Sequence, residues 1–156
     1  MTDKKMQLDH AAIAARIPHT GRMCLLDRVL QWDAGSIRCS ATSHRDQDNP
    51  LREVGGLATL AGIEYAAQAA AVHGSLLLNE MVSRSGVLAA LKNVTATQQW
   101  LHEIAGDIMV EANLLHRDPA GGIFSFAVLA GESPILSGQF TLMYIDAVNQ
   151  LQEHEA

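Results

Sequence analysis

The sequence predicts an α+β fold in which an antiparallel sheet wraps around one long apolar helix. Residues 57–79 form an apolar, alanine-rich stretch of helical length, and stretches typical of strands lie on both sides of it. A helix without a polar face is a buried helix. Strands before and after it can form the layer that covers it.

The first third of the chain predicts a short helix and a hairpin. Apolar residues recur with helical spacing over 7–16, inside an N-terminal helical segment that covers residues 1–18. The helix ends near Pro18, because the residue before a proline is pushed away from helical dihedral angles. Residues 24–32 and 36–43 then predict two strands joined by a tight turn.

A long polar loop, 43–56, separates this hairpin from the central helix at 57–79. Ordered loops of this length are more often functional than short ones. After the helix, alternating apolar residues predict four more strands, over 87–97, 107–116, 122–130 and 135–145. The sequence holds no linker-like or repeated stretch, and we therefore expect one domain over residues 1–156.

Composition excludes several function classes. Seventeen acidic residues against eleven Lys and Arg give a formal charge of -6, whereas nucleic-acid binding needs a basic surface. No apolar run reaches the roughly 18 uninterrupted residues of a membrane span, and the N-terminus does not resemble a signal peptide. Cys24 and Cys39 do not have the spacing of metal ligands, so we expect a reduced, cytoplasmic protein without a metal.

Glu64 is the most distinctive candidate for chemistry. An unpaired ionised carboxylate is costly in an apolar helix, and Gln68 lies on the same helix face, where it could hold the carboxylate in one rotamer. Burial raises the pKa of a carboxyl group and so favours a protonated form that can act as an acid. The alternative is structural, with Glu64 paired to an arginine at the mouth of a groove.

Gly55 and Gly56 precede the central helix and are candidate substrate-binding residues. Glycine lets the backbone approach a ligand closely. The free N–H groups at a helix start can polarise a carbonyl oxygen. Glycine near a helix start is common, however, so this signal is weak by itself.

The sequence has seven histidines, none of them in a metal-binding spacing. His19 stands before the first strand and His44 opens the long loop, so each is a candidate catalytic residue. Each could equally be a turn histidine bonded to the backbone. His73 lies half a turn out of phase with Glu64, and we expect a core histidine that faces away from it.

Three segments resemble motifs of the hot-dog-fold 3-hydroxyacyl-[acyl-carrier-protein] dehydratases. Residues 17–29 read IPHTGRMCLLDRV, residues 49–50 read NP, and residues 62–69 read GIEYAAQA. The order of elements is similar over nearly the whole chain. The resemblance is closest to a divergent branch that is associated with aryl polyene pigment synthesis in Gram-negative bacteria.

The resemblance implies a hot-dog fold that dimerises, with acyl tunnels at the subunit interface. It implies removal of water from a 3-hydroxyacyl thioester on an acyl carrier protein, giving a trans-2-enoyl thioester without a cofactor. In that family a histidine takes the α-proton, and the helix carboxylate of the opposite subunit acts on the β-hydroxyl. By motif, Glu64 carries over as the carboxylate and Gln68 as its neighbour.

The histidine that serves as base in that family does not carry over, because Pro50 occupies its position and residues 51–63 contain no histidine. Our preferred interpretation is a heterodimer in which a related dehydratase subunit supplies the histidine. A homodimer with His44 as base is the alternative, and His19 matches a histidine that the family does not use as base. Two other functions stay open: an acyl thioesterase in which Glu64 activates water, and a non-catalytic acyl-binding subunit.

Overall fold

The chain forms an antiparallel sheet of six strands with one long helix packed against it, as seen in a computed structural model that describes residues 7–17, 23–80 and 86–145. This arrangement confirms the predicted α+β fold. In chain order the elements are α1 (His10–Arg16), β1 (Arg28–Trp32), β2 (Ser36–Ala41), α2 (Gly62–Leu77), β3 (Gly86–Ala96), β4 (Ile108–Asp118), β5 (Gly121–Ala130) and β6 (Ser133–Tyr144).

The strands lie in the order β1-β2-β4-β5-β6-β3, and every neighbouring pair is antiparallel. Strands β1 and β2 form the predicted hairpin, and β4, β5 and β6 form a meander. Strand β3 crosses over to the far edge of the sheet, where it pairs with β6. Its residues are exposed on both faces, including Val87 (42% exposed) and Leu91 (48%).

The core lies between α2 and the centre of the sheet. Side chains alternate between the two faces of a strand, so the inward residues of β4 are Ile108, Val110 and Ala112, all fully buried. Small residues on α2, such as Ala66 and Ala69, meet the sheet and are also buried. Their size lets the helix axis approach the sheet closely.

The central helix is shorter than the predicted range 57–79. Regular α-helix begins at Gly62, after a 3-10 turn over Thr59–Ala61. Residues 57 and 58 are not helical because this segment pairs with the segment 99–101. Leu57 O accepts from Leu101 N at 2.8 Å, and Thr59 N donates to Gln99 O at 2.9 Å. The helix ends at Leu77, two residues before Asn79, whose φ of 53° is left-handed.

The first strand is also shorter than predicted, because residues 24–27 precede the ladder that begins at Arg28. Strand β2 ends at Ala41, and a 3-10 turn over Ser43–Arg45 follows. The ends of β3 to β6 lie within two residues of their predicted ends. Helix α1 is confirmed over His10–Arg16, whereas residues 1–6 and Pro18 of the N-terminal segment lie outside the described residues.

Candidate functional site

A cavity of about 330 Å³ runs along α2 between the helix and strands β3, β4, β5 and β6. Small residues of the helix form one wall and apolar residues of β4, β5 and β6 form the other. The residues that define these two walls are Ala67, Ala71 and Gly74 on the helix and Leu114, Phe124 and Leu142 on the sheet. The cavity therefore follows the helix and is mostly apolar.

Glu64 lies in the first turn of α2 and lines this cavity. Its side chain is partly buried, and in the described part of the chain neither a hydrogen bond nor an ion pair reaches its carboxylate. The arginine partner of the structural alternative is therefore not found among the described residues, and the acid faces an apolar space.

Gln68 lines the same cavity, but its amide is used elsewhere than on Glu64. Its Oε1 accepts a hydrogen bond from Leu25 N at 2.9 Å, and its Nε2 donates to Met23 O. These bonds hold the segment before β1 against α2. This contact also explains why residues 24–27 are not part of the first strand.

Gly55 and Gly56 lie in a tight turn closed by two hydrogen bonds between Glu53 and Gly56. Both have positive φ angles, 100° and 129°. Neither lines the cavity, and six residues separate Gly55 from the start of α2. A Cβ atom on Gly56 would lie 2.0 Å from Cε1 of His102, whose Nδ1 accepts from Leu57 N. The two glycines thus allow a close approach of the segment 99–102.

The Gly56→Ala variant should therefore lose stability. The added methyl group meets the His102 ring, and φ lies in a region that alanine rarely adopts. We expect the free energy of unfolding to fall by about 2–3 kcal/mol in urea denaturation. Gly106→Ala is the matched control, because a Cβ there meets nothing within 4 Å. Equal losses in the two variants would contradict this account.

His44 lies in the 3-10 turn after β2 and is fully buried. Its Nε2 donates to Ile104 O at 3.0 Å, and burial lowers the pKa of the ring. It does not line the cavity that Glu64 lines. The structure therefore does not bring these two candidates together, and His19 lies outside the described residues.

His73 is buried and bonded to the backbone, as a core histidine should be, with Nε2 donating to Asp33 O at 2.8 Å. It nevertheless lines the same cavity as Glu64, because the cavity extends along the helix as far as Glu80. Their offset of nine positions along α2 corresponds to about 13 Å of helix rise. The two residues point to different sides of the helix, as their spacing predicts, but the spacing does not predict that one cavity reaches both.

A second feature missed from sequence is a polar cluster that fixes the long loop to α2. The buried Tyr65 hydroxyl lies 2.8 Å from Ser43 Oγ and accepts from Asn49 Nδ2 at 2.9 Å. Ser43 Oγ in turn donates to Leu25 O. Asn49 and Tyr65 both lie in the segments that carry the family resemblance, which was the available signal, but local spacing does not pair them.

Two negative findings apply to the ranges 7–17, 23–80 and 86–145. His, Cys, Asp and Glu side chains form no group of three or more that could hold a metal ion. The helices in these ranges are too short or too polar to cross a membrane.

With this geometry in view, comparison with known proteins identifies the family. The sequence model of the ApeP-like family, described as ApeP dehydratase, matches residues 11–153. The chain belongs to the ApeP-like dehydratase family. This match confirms the resemblance to the hot-dog dehydratases of the aryl polyene branch. No curated protein matches the ApeP-like chain in sequence.

Solved structures confirm the hot-dog fold of this ApeP-like protein. It is similar to a chain of "The Dehydratase Heterocomplex ApeI:P from Xenorhabdus doucetiae", with a TM-score of 0.73 and 21% identity over 92% of this chain and 97% of that one. A mutant of the thioesterase PA1618 from Pseudomonas aeruginosa has a TM-score of 0.53 and 14% identity, over 74% of this chain and 78% of that one. The thioesterase HI1161 from Haemophilus influenzae has a TM-score of 0.54 and 14% identity, over 75% of this chain and 76% of that one.

In the described part of the ApeP-like chain, a carboxylate without a partner thus stands beside an apolar cavity. Glu64 and the apolar cavity come together on α2. Among the described histidines, only His73 shares that cavity, and it lies about 13 Å farther along the helix. A base that acts on the carbon next to the one bearing the hydroxyl needs to be much closer than that.

Proposed function

We propose that this ApeP-like protein removes water from 3-hydroxyacyl thioesters carried on an acyl carrier protein and yields trans-2-enoyl thioesters. The observation that carries the proposal is the carboxylate of Glu64, which faces a mostly apolar cavity along α2 and has no partner among the described residues. Such a cavity fits an acyl chain, and the family is one of dehydratases. The aryl polyene pathway is the proposed setting.

The elimination needs a base and an acid on neighbouring carbon atoms. The base takes the α-proton, the electron pair of that C–H bond forms the new double bond, and the C–O bond at the β-carbon breaks. Glu64, in its protonated form, gives its proton to the departing hydroxyl, which leaves as water. The proton taken by the base then returns to the carboxylate, so the cycle needs no cofactor.

We propose that a second, related dehydratase subunit supplies the base, most simply in a heterodimer. Neither His44, which is bonded to Ile104, nor the distant His73 is placed to act beside Glu64. The similar structure from Xenorhabdus doucetiae is a dehydratase heterocomplex. A partner subunit that brings its own histidine to Glu64 would complete the acid–base pair.

Strand β3 supports the proposal of a partner subunit. It is an eleven-residue strand at the edge of the sheet, exposed on both faces. Its outer edge has no strand neighbour in the described part of the chain. A long exposed edge strand offers a row of unpaired backbone groups to another chain. Val87 of this strand also lines the cavity, so an interface here would lie next to the site.

A thioesterase is the second candidate, because two of the similar solved structures are thioesterases. In that case Glu64 would activate water for attack on the thioester carbonyl. Incubating the complex with a 3-hydroxyacyl carrier protein separates the two reactions by mass spectrometry and thiol titration. We expect the loss of one water from the acyl group and no free thiol. Free thiol without an enoyl product would establish the thioesterase.

We place this reaction in the cytoplasm. Cys24 and Cys39 are both buried and free of any disulfide. Burial raises the pKa of both thiols, and that of Cys39 reaches about 12. Free thiols are the normal state of cysteines in a reducing compartment.

A further inference from the structure

The α2 cavity contains, farther along the helix than Glu64, a polar group that the proposed dehydration does not use. His73 lines the cavity, and its side chain is 0% exposed. Its Nε2 is bonded to Asp33 O, whereas its Nδ1 has no hydrogen-bond partner among the described residues. The great majority of buried polar atoms are hydrogen-bonded. An unpaired ring nitrogen in the wall of a cavity therefore points to a ligand.

The hydrogen bond at Nε2 defines the kind of ligand. A carbonyl oxygen only accepts, so Nε2 carries the proton. In a neutral imidazole the other nitrogen, Nδ1, is then an acceptor. Burial lowers the pKa of His73, and this favours the neutral ring. A group that satisfies Nδ1 must therefore donate a hydrogen bond, as a hydroxyl group does.

The position of the ring is fixed from two sides. The carboxylate of Asp33 accepts from Gly35 N and Ser36 N at 2.9 Å, which holds the turn whose carbonyl binds His73. On the other side, Phe124 packs edge-on against the imidazole with the ring centres 6.2 Å apart. The acceptor is therefore already in place before a ligand arrives.

The distance from Glu64 defines where on a ligand the donor group would lie. About 13 Å of helix rise separates the two residues. With C–C bonds of about 1.5 Å, an extended chain needs on the order of ten atoms to span it. The cavity wall between them consists of small residues of α2, such as Ala67, Ala70 and Ala71. An apolar chain can lie along these residues, with its reactive end at Glu64.

We propose that His73 selects acyl chains that carry a hydroxyl group at their distal end, through a hydrogen bond to Nδ1. This inference rests on the proposed function in one respect, namely that the cavity takes an acyl chain. His73 determines specificity in this scheme and takes no part in the elimination. Its effect is a preference among chains of sufficient length.

The test compares matched ligands on the full-length chain purified together with its dehydratase partner. The long pair is ω-hydroxydodecanoyl-pantetheine and tridecanoyl-pantetheine, which has a methyl group in place of the hydroxyl. The short pair, ω-hydroxyhexanoyl- and heptanoyl-pantetheine, does not reach His73. Calorimetry should give a hydroxyl-to-methyl affinity ratio roughly three- to tenfold higher for the long pair than for the short pair. Equal ratios, or no binding of any ligand, would overturn the proposal without any variant.

Two variants separate recognition from a general effect on the cavity. His73→Phe keeps a ring but removes the acceptor, and the ratio for the long pair should fall to that of the short pair. Phe124→Leu changes the wall and keeps the acceptor, so both long ligands should change affinity together while their ratio persists. The experiment measures binding, so its outcome does not depend on whether the complex dehydrates. A complex that fails to dehydrate but keeps the higher hydroxyl-to-methyl affinity ratio for the long pair contradicts only the proposed reaction. A complex that dehydrates its substrate but has equal hydroxyl-to-methyl affinity ratios for the long and the short pair contradicts only the role of His73.

Discussion

Replacing Glu64 by glutamine should abolish dehydration and leave the fold intact. Glutamine has nearly the same shape, and no described contact of the carboxylate is lost, because none is present. What is lost is the proton that the departing hydroxyl needs. Loss of a general acid costs about 10²–10⁴-fold in rate, and we expect this fall in kcat with an unchanged melting temperature.

The control for this experiment is Glu53→Gln. Glu53 is exposed, lies in the turn with Gly56 and does not line the cavity. Its replacement removes the same charge from the chain and should leave turnover within a factor of two or so, as is usual for surface changes. A Glu64→Gln complex that turns over within a factor of a few of the parent would show that this carboxylate is not the acid.

The second large effect concerns the source of the base. Alone, this chain should show almost no dehydration, and a related dehydratase subunit should restore it. Replacing the partner's catalytic histidine by alanine should then lower the rate by about 10²–10⁴-fold. In the same complex, His44→Gln should have little effect on the rate, since glutamine can still donate to Ile104 O. The measurement is the initial rate of enoyl thioester formation for each combination of subunits.

The opposite pattern would identify a self-sufficient enzyme. If the chain alone is active, His44→Gln abolishes that activity, and the partner's histidine is dispensable, then His44 is the base. The melting temperature of His44→Gln must stay near that of the parent for this comparison to hold. Sedimentation of the isolated chain and of the mixture at micromolar concentration completes the test, because a purely monomeric mixture contradicts the heterodimer.

The fold was predictable because its signals are local. The strands β4 to β6 are recognised by alternating apolar and polar residues, and α2 by an uninterrupted apolar run. Both patterns can be read from neighbouring residues, because both follow from which side chains are buried. The site was less predictable because its contacts are long-range. Gln68 and Glu64 share a helix face, but the Gln68 amide binds the backbone of Met23 and Leu25 instead. The space beside Gly56 is likewise filled by the ring of His102, which is 46 positions away in the sequence.

The order of strands in the sheet affects how the chain can be assembled during synthesis. Strand β3 (Gly86–Ala96) forms its ladder only with β6 (Ser133–Tyr144), which the ribosome makes much later. Strand β2 pairs with β1 first and gains its second neighbour only when β4 is made, so α2 leaves the ribosome before β4 and β5, two of the strands that cover it. Pairings between distant segments slow folding and prolong exposure of apolar surface. The nascent chain thus passes through a stage in which α2 is the surface most in need of a chaperone.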